Sequence, residues 1–412
     1  MLTRFCRYVD KVFDFQSLLG TLTDGRRQPR ISTVAVFLSV MMLFVLRRGS
    51  LNAVEQDLRV PRRMEGLVGS HPPSADTLGR VYAQMDSAPL RQMLAAINHR
   101  LKRNKAVGTI GGLRIAAVDG HEFFSSRKRC CDQCQQRTIT VQGEPVTEYY
   151  HQGVVCHLTG LDLALPLDVE LLKPGEGEET AARRLLERVL SNYGRFFDVV
   201  SGDALYFDAP FINFCLDHHK EVIVVVKGEQ RLLLQDANGL FDEQPPQCWF
   251  DPHCHVLYWD EEGFTSCEGV QQPLRVLRTE ETVHRRERIA GQWVYHDELH
   301  HWCWATTLSK QQLGSRFLWR AGHARWDIEN DCFNTLVTHW GLNHCYKHAP
   351  LAIVNIVLTL FIVYALLQCF YQRNLKPPLR AQLTLIGLTT EFSLSVANAC
   401  RAPWTIPRPR PP

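Results

Sequence analysis

The sequence of 412 residues lacks a decisive charge of either sign, because 46 Lys and Arg against 43 Asp and Glu leave a formal net charge of only +3. That is too little to argue for a polyanionic partner by itself. No internal repeat appears, which excludes a stacked-repeat architecture. The opening MLTRFCRYVD lacks the apolar core and small-residue cleavage site of a signal peptide, so a cytoplasmic location is expected. In that setting the 14 Cys are expected as reduced thiols, in the core or as metal ligands, and not as a disulfide frame. Uninterrupted apolar runs of bilayer length are scarce too. VAVFLSVMMLFVL (34–46) is too short to span as a helix. LAIVNIVLTLFIVYALLQCF (351–370) is long enough, but Asn355, Thr359 and Gln368 interrupt it. A buried helix is the expectation there, with a membrane span as the alternative.

What is present is the balance of a soluble globular chain, 45% hydrophobic and 22% charged. The length exceeds what one core usually serves, so two or more domains, or one domain with large additions, are expected. Charge is distributed unevenly: residues 1–108 hold 17 Lys and Arg against 8 Asp and Glu, an excess of +9 that leaves −6 for the rest. A basic front joined to an acidic body suits a polyanion-binding module beside a carboxylate site, and a solvated surface gives the same count.

The front reads as helical, its apolar runs broken by DGRRQPR, RRGS and SHPPSADT. In SADTLGRVYAQM, Ser74 and Asp76 are candidate N-caps ahead of Leu78, Val81, Tyr82 and Met85 at helical spacing. This helix suits DNA recognition, and equally any small helical domain. From residue 113 the period changes. LRIAAVDG, EYYHQGVVCHL (148–158) and LDLALPLDVELL (161–172) read as strands. GEETAARRLLERVLSNYG (177–194) follows as a helix, FFDVVSGDALYF as a strand ending near Asp203, a short helix after Pro210, and EVIVVVKG as a fifth strand.

Three strands, a helix, a strand, a helix and a strand form the element order of an RNase H-like α/β fold, a mixed sheet flanked by helices. Its first and fourth strands lie side by side, so Asp119 and Asp203, each at a strand end, are expected as neighbours. Residues 229–310 read as a β-rich insertion, with HVLYW, PLRVLRT, GQWVYH and HWCWATTL as short β-like runs. The helix SKQQLGSRFLWRAG then leads to RWDIENDCFNTLVTHWG, where Arg325 and Glu329 stand four apart on one helical face. The expected organisation is a helical, basic DNA-binding domain (1–108), a core in two parts (109–228 and 311–375) around the insertion (229–310), and a C-terminal tail (376–412). The last stretch, APWTIPRPRPP, is Pro-rich and reads as unstructured.

Glu329 is thus a candidate third carboxylate beside Asp119 and Asp203. Three such groups can hold two Mg²⁺ ions that clamp the attacking and leaving oxygens of an in-line phosphoryl displacement. Arg325 could steer a DNA phosphate or orient the carboxylate. Taken singly, Asp119 and Asp203 also fit plain turns beside glycine, and Arg325 with Glu329 fits a surface pair. A second feature is CCDQC (130–134), in which Cys131 and Cys134 have the spacing of a zinc ligand pair, with His151, Cys156 and His157 beyond. Loop thiols without metal fit as well. CWFDPHCH (248–255) and HHWC (300–303) are weaker signals of the same kind.

AAVDGHEFFSSRKR, VVSGDALYF and RWDIENDCFNTLVTHWGLNHCY resemble the three catalytic blocks of DDE transposases from bacterial insertion sequences, in families with a β-rich insertion before the glutamate. The similarity spans residues 113 to about 372. It implies an RNase H-like core with Asp119, Asp203 and Glu329 as metal-binding triad, and two Mg²⁺ ions for which Mn²⁺ may substitute. It further implies double-stranded DNA partners, namely terminal inverted repeats and target DNA, and a homo-oligomer on DNA in the bacterial cytoplasm, associated with the nucleoid and not with a membrane. The implied activity is cleavage of transposon ends by water and strand transfer by a 3′-hydroxyl. Many relatives carry Y-x-x-R-x-x-x-E-x-x-x-x-x-x-K around the last acid. Here Arg325 and Glu329 match, but Gly322 and Leu336 stand at the Tyr and Lys positions. Those departures leave a catalytically inactive or domesticated DNA-binding relative as the alternative.

Overall fold

A computed structural model of the chain describes residues 1–60, 63–69, 71–228, 232–252, 254–289 and 291–396. The front consists of helices α1 to α7: Leu2–Phe13, Phe15–Gly20, Thr33–Val45, Leu51–Arg59, Glu65–Val68, Ala75–Tyr82 and Ala88–Arg103. Helix α1 buries Leu2, Phe5, Cys6, Val9 and Phe13 on one stripe, and it ends at Asp14, whose φ of 53° is left-handed. Helix α3 is apolar all round and buried all round, started by the Ser32 hydroxyl, which accepts from the Ala35 N–H at 3.1 Å. Ser74 caps α6 by accepting from the Thr77 N–H, while Leu78, Val81, Tyr82 and Met85 are buried.

The middle of the chain carries β1 (Ile115–Ser126), β2 (Gln135–Val141), β3 (Glu144–Thr159), β4 (Leu165–Leu171), α8 (Glu178–Tyr193), β5 (Val199–Gly202), α9 (Ala209–Asp217) and β6 (Glu221–Val225). β1 pairs antiparallel with β3 and parallel with β5, β5 runs parallel with β6, and β4 lies antiparallel on the far side of β3. This is the strand order of the RNase H-like core. Burial on both faces explains why β5 reads as an unbroken small and apolar run.

Three boundaries differ from the sequence reading. β1 continues past Asp119 to Ser126, β4 starts at Leu165, and an extra strand β2 pairs with the first half of β3. The segment 229–310 folds as α10 (Leu232–Phe241), β7 (Gln247–Asp251), β8 (Cys254–Phe264), β9 (Leu274–Ile289) and β10 (Gln292–Thr306). GQWVYH and HWCWATTL belong to that single strand β10. Its end, Trp304–Thr306, pairs antiparallel with β6, so β7–β10 prolong the core sheet and cover an edge that would otherwise be open.

Helix α11 (Ser315–Ala324) leads through a wide π turn, Ile328–Asn334, into α12 (Thr335–Trp340). Then α13 (Pro350–Cys369) crosses the middle of the protein. Its three polar interruptions have internal partners. Asn355 Nδ2 donates to the Tyr82 and Met85 carbonyls at 3.0 and 2.8 Å, and the Thr359 hydroxyl meets that of Tyr82 at 3.1 Å. Gln368 takes the Ala164 N–H at 2.9 Å and gives a bond to its carbonyl at 2.8 Å. The apolar run is therefore an interior helix on which the front and the sheet both pack. Residues 376–396, expected as tail, carry α14 (Pro377–Gln382) and α15 (Leu385–Val396). Leu388, Phe392 and Val396 recur at helical spacing and are buried, Phe392 lying 5.2 Å from Phe5 between ring centroids. APWTIPRPRPP lies outside the described residues.

Candidate active site

The parallel register of β1 and β5 sets Ala117 opposite Ser201, and two residues further along each chain come Asp119 and Asp203. Both acids therefore emerge at the same end of adjacent central strands. Asp203 accepts from the Leu205 N–H at 2.9 Å, which fixes its carboxylate over a short 3₁₀ turn. Glu329 arrives from the other side of the site, on the π turn after α11. Within that turn the Asp331 carbonyl accepts from the Tyr364 hydroxyl of α13 at 3.0 Å.

Arg325 joins the two segments. Its Nη1 lies 3.1 Å from Asp119 Oδ2 and 3.5 Å from Glu329 Oε1, and the residue is 4% exposed. The guanidinium is thus enclosed between the two carboxylates, a position suited to orienting them. Burial pushes the Asp119 carboxyl up to about 7; Arg325 works against that rise, while Glu329 and Asp203 add to it. Asp119 and Glu329 line an open cleft of about 390 Å³ with Gly120, His121, Phe333 and Asn334. His121 stacks on Phe333 with centroids 4.5 Å apart, and burial lowers its imidazole to about 4, so it is neutral at physiological pH.

A fourth acid stands there that the sequence reading missed. Glu178, in the first turn of α8, accepts from the Tyr206 hydroxyl at 2.8 Å and from Gln152 Nε2 at 3.1 Å. Its carboxylate lies over Gly120: a Cβ on that residue would fall 2.2 Å from Glu178 Oε2. Burial raises the Glu178 carboxyl above its ordinary value, and Asp203 raises it further. The available signal was a glycine directly after the first acid.

The two departures around the last acid have packing reasons. A Cβ on Gly322 would lie 2.5 Å from the Trp304 indole, so no tyrosine fits without moving that ring. Leu336 is fully buried, where a lysine would carry an unpaired charge. Cys131 and Cys134 come together with His151, and His348 joins them, which the sequence reading did not anticipate. Cys156 and His157 point elsewhere, buried in the sheet, and burial lowers the His157 imidazole to about 3. Among the described residues CWFDPHCH and HHWC form no ligand group; His253 lies outside those residues.

Comparison with known proteins gives a family match, transposase DDE domain, over residues 113–366. No curated protein matches the chain. Among solved structures, the Argonaute of Kluyveromyces polysporus with a guide RNA is similar at 12% identity with a TM-score of 0.21, over 79% of this chain. The chain spans 37% of that Argonaute's length, and the score is too low to carry a shared fold.

Proposed function

Because the chain belongs to the transposase DDE domain family, we propose that it cuts DNA strands at the ends of a bacterial insertion sequence and joins the freed 3′-hydroxyl to target DNA. Asp119, Asp203 and Glu329 are the proposed triad. The observation that carries this reading is that Arg325 ties Glu329 to Asp119, while the β1–β5 register brings Asp203 out beside Asp119.

Mg²⁺, with Mn²⁺ as substitute, suits the donor set. Hard cations take oxygen ligands, and the site offers three carboxylates, with Glu178 behind them, against a single guanidinium. The raised carboxyl of Asp119 reflects burial and crowding of negative charge that a cation would relieve. When bound, a pair of such ions activates the attacking oxygen and stabilises the leaving one. The chain's own part is positional: Arg325 sets the spacing of Asp119 and Glu329, the Leu205 N–H holds Asp203, and the cleft admits a strand beside them.

DNA ends are proposed to bind the front helices, where Arg7, Lys11, Arg27, Arg30, Arg103 and Lys105 are exposed. The division into front (1–108), two-part core, sheet extension (229–310) and C-terminal region (376–412) belongs to the same proposal. So do a homo-oligomer on paired inverted repeats and a place in the bacterial cytoplasm, on the nucleoid. The inactive-relative reading draws on Gly322 and Leu336, and packing accounts for both residues without reference to chemistry.

Glu329→Ala tests the proposal. Cleavage of end-containing DNA in Mg²⁺ is expected to vanish while DNA affinity stays near wild type, since one ligand is lost but few phosphate contacts. Cleavage at a wild-type rate by that variant would sink the triad.

A further inference from the structure

Four donor atoms that the proposed chemistry does not use face one another at the end of β1. Cys131 Sγ, Cys134 Sγ, His151 Nε2 and His348 Nε2 all lie within 4.8 Å of one another. The sulfurs are 3.7 Å apart. His151 Nε2 stands 3.4 and 3.3 Å from them and 3.3 Å from His348 Nε2, and Cys134 Sγ is 3.3 Å from His348 Nε2. A tetrahedral Zn²⁺, at about 2.3 Å from sulfur and about 2.0–2.1 Å from nitrogen, sets its ligands roughly 3.3–3.8 Å apart. The sulfurs are too distant for a disulfide, which closes at about 2.05 Å. Hydrogen bonding alone does not account for the cluster, because His151 Nε2 faces three donor atoms and carries at most one proton.

We propose that Cys131, Cys134, His151 and His348 bind a structural Zn²⁺ that clasps the β1–β2 link to the stretch between α12 and α13. Two thiolates with two imidazoles select zinc over Mg²⁺. Four protein ligands leave no open position, the mark of a structural site. Cys134 and His151 are 4% and 1% exposed, so the site is closed to solvent on that side. The Cys131 N–H donates to Cys134 Sγ at 3.3 Å, which orients that sulfur towards the other three donors. The clasp joins chain leaving Asp119 along β1 to chain leaving Glu329 through α12. It also anchors Arg127, Lys128 and Arg129, all exposed, immediately before the first ligands. Arg129 and Lys347, the latter next to His348, line one hollow with Ser50, Asn52 and Asp76 of the front. The ion thus holds a basic link against the helical front.

The site stands independently of the triad, and its test reads metal and not cleavage. Full-length protein purified under reductant and dialysed against MgCl₂ is expected to keep about one zinc per chain by plasma mass spectrometry. Cys134→Ser and His348→Gln are expected to lose it. Cys130→Ser, an exposed thiol outside the cluster, is expected to retain it. If a variant fails to fold, Co²⁺ substituted into the wild type still reports, through the visible bands of tetrahedral thiolate-bound cobalt. Chelation of the zinc should open Arg127–Arg129 to trypsin, with protection restored by ZnCl₂ and not by MgCl₂. Wild-type protein that holds no zinc and takes up none from stoichiometric ZnCl₂ overturns the proposal, as does a Cys134→Ser variant that binds zinc normally. Protein that carries zinc but cuts no DNA keeps this site and loses the triad reading.

Discussion

At the scale of residues, the site turns on two side chains that act through others. Arg325 is enclosed between Asp119 and Glu329, and lysine cannot reproduce its planar fork. Arg325→Lys is expected to slow cleavage about tenfold or more, equivalent to about 1.4 kcal/mol of transition-state stabilisation, without weakening DNA binding. A wild-type rate for that variant would make the arginine a mere packing residue. Glu178 poses a different question, whether its charge serves the metal or only Tyr206 and Gln152. Glu178→Gln is expected to raise the Mg²⁺ concentration needed for half-maximal cleavage severalfold, with the saturated rate little changed. A lower Tm with an unaltered Mg²⁺ requirement would assign it to structure alone. Strand order makes the proximity of Asp119 and Asp203 legible from sequence, and helical spacing does so for Arg325 and Glu329. Glu178 is not legible that way. It reads as an ordinary first-turn acid of α8, and the missing Cβ of Gly120 is what lets it sit against β1 beside Asp119. His348 is hidden for a related reason, since it lies 214 positions from Cys134 and no spacing rule reaches that far.

At the scale of elements, the helix that delivers Glu329 is tied to the sheet extension by one buried carboxylate. Glu281 on β9 accepts at Oε1 from Thr279 Oγ1 and Trp319 Nε1, each at 2.8 Å, and from His323 Nε2 at 2.9 Å. Trp319 and His323 belong to α11. Burial opposes charge on Glu281, but His323, Thr279 and Trp319 together hold its carboxyl below the ordinary value of 4.5. The sign of the pH dependence follows. A carboxyl depressed in the folded state contributes stability above the unfolded value, and that contribution is lost as pH falls through the depressed one. Glu281→Gln is expected to cost about 1–2 kcal/mol near pH 7, with the gap to wild type closing below about pH 4.5. Parallel denaturation curves at pH 7 and pH 4 measure this, and an equal gap at both would show that the charge contributes nothing. That 229–310 is rich in β-structure is readable in the sequence as short runs, which the structure joins into the long strands β9 and β10. That β10 would pair with β6 is not, because edge pairing leaves no mark in local periodicity.

At the scale of the whole molecule, the basic front does not pack on itself alone. Helices α3, α6 and α7 lie against α13, Arg91 Nε reaches Asp168 at 2.9 Å, and Arg47 Nε donates to the His339 carbonyl at 2.8 Å. A fragment of residues 1–108 would expose the fully apolar α3, so it is expected to aggregate or unfold without cooperativity, although its composition suggests a domain able to bind DNA alone. DNA binding must then be measured on the full chain. The front's excess of +9 overstates the charge available to phosphates, because Arg91 is neutralised by Asp168, an acid outside the front. If the contacts come from Arg7, Lys11, Arg27, Arg30, Arg103 and Lys105, the slope of log K against log salt should be near about −5, whereas nine contacts would give about −8. Replacing Arg27 and Arg30 together by Ala should flatten the slope by about 2 and leave the cleavage rate at saturating DNA unchanged. A slope untouched by that double change would move DNA recognition away from this face, towards the Arg127–Arg129 link or the β9–β10 hairpin, whose Arg285, Arg286 and Arg288 are exposed.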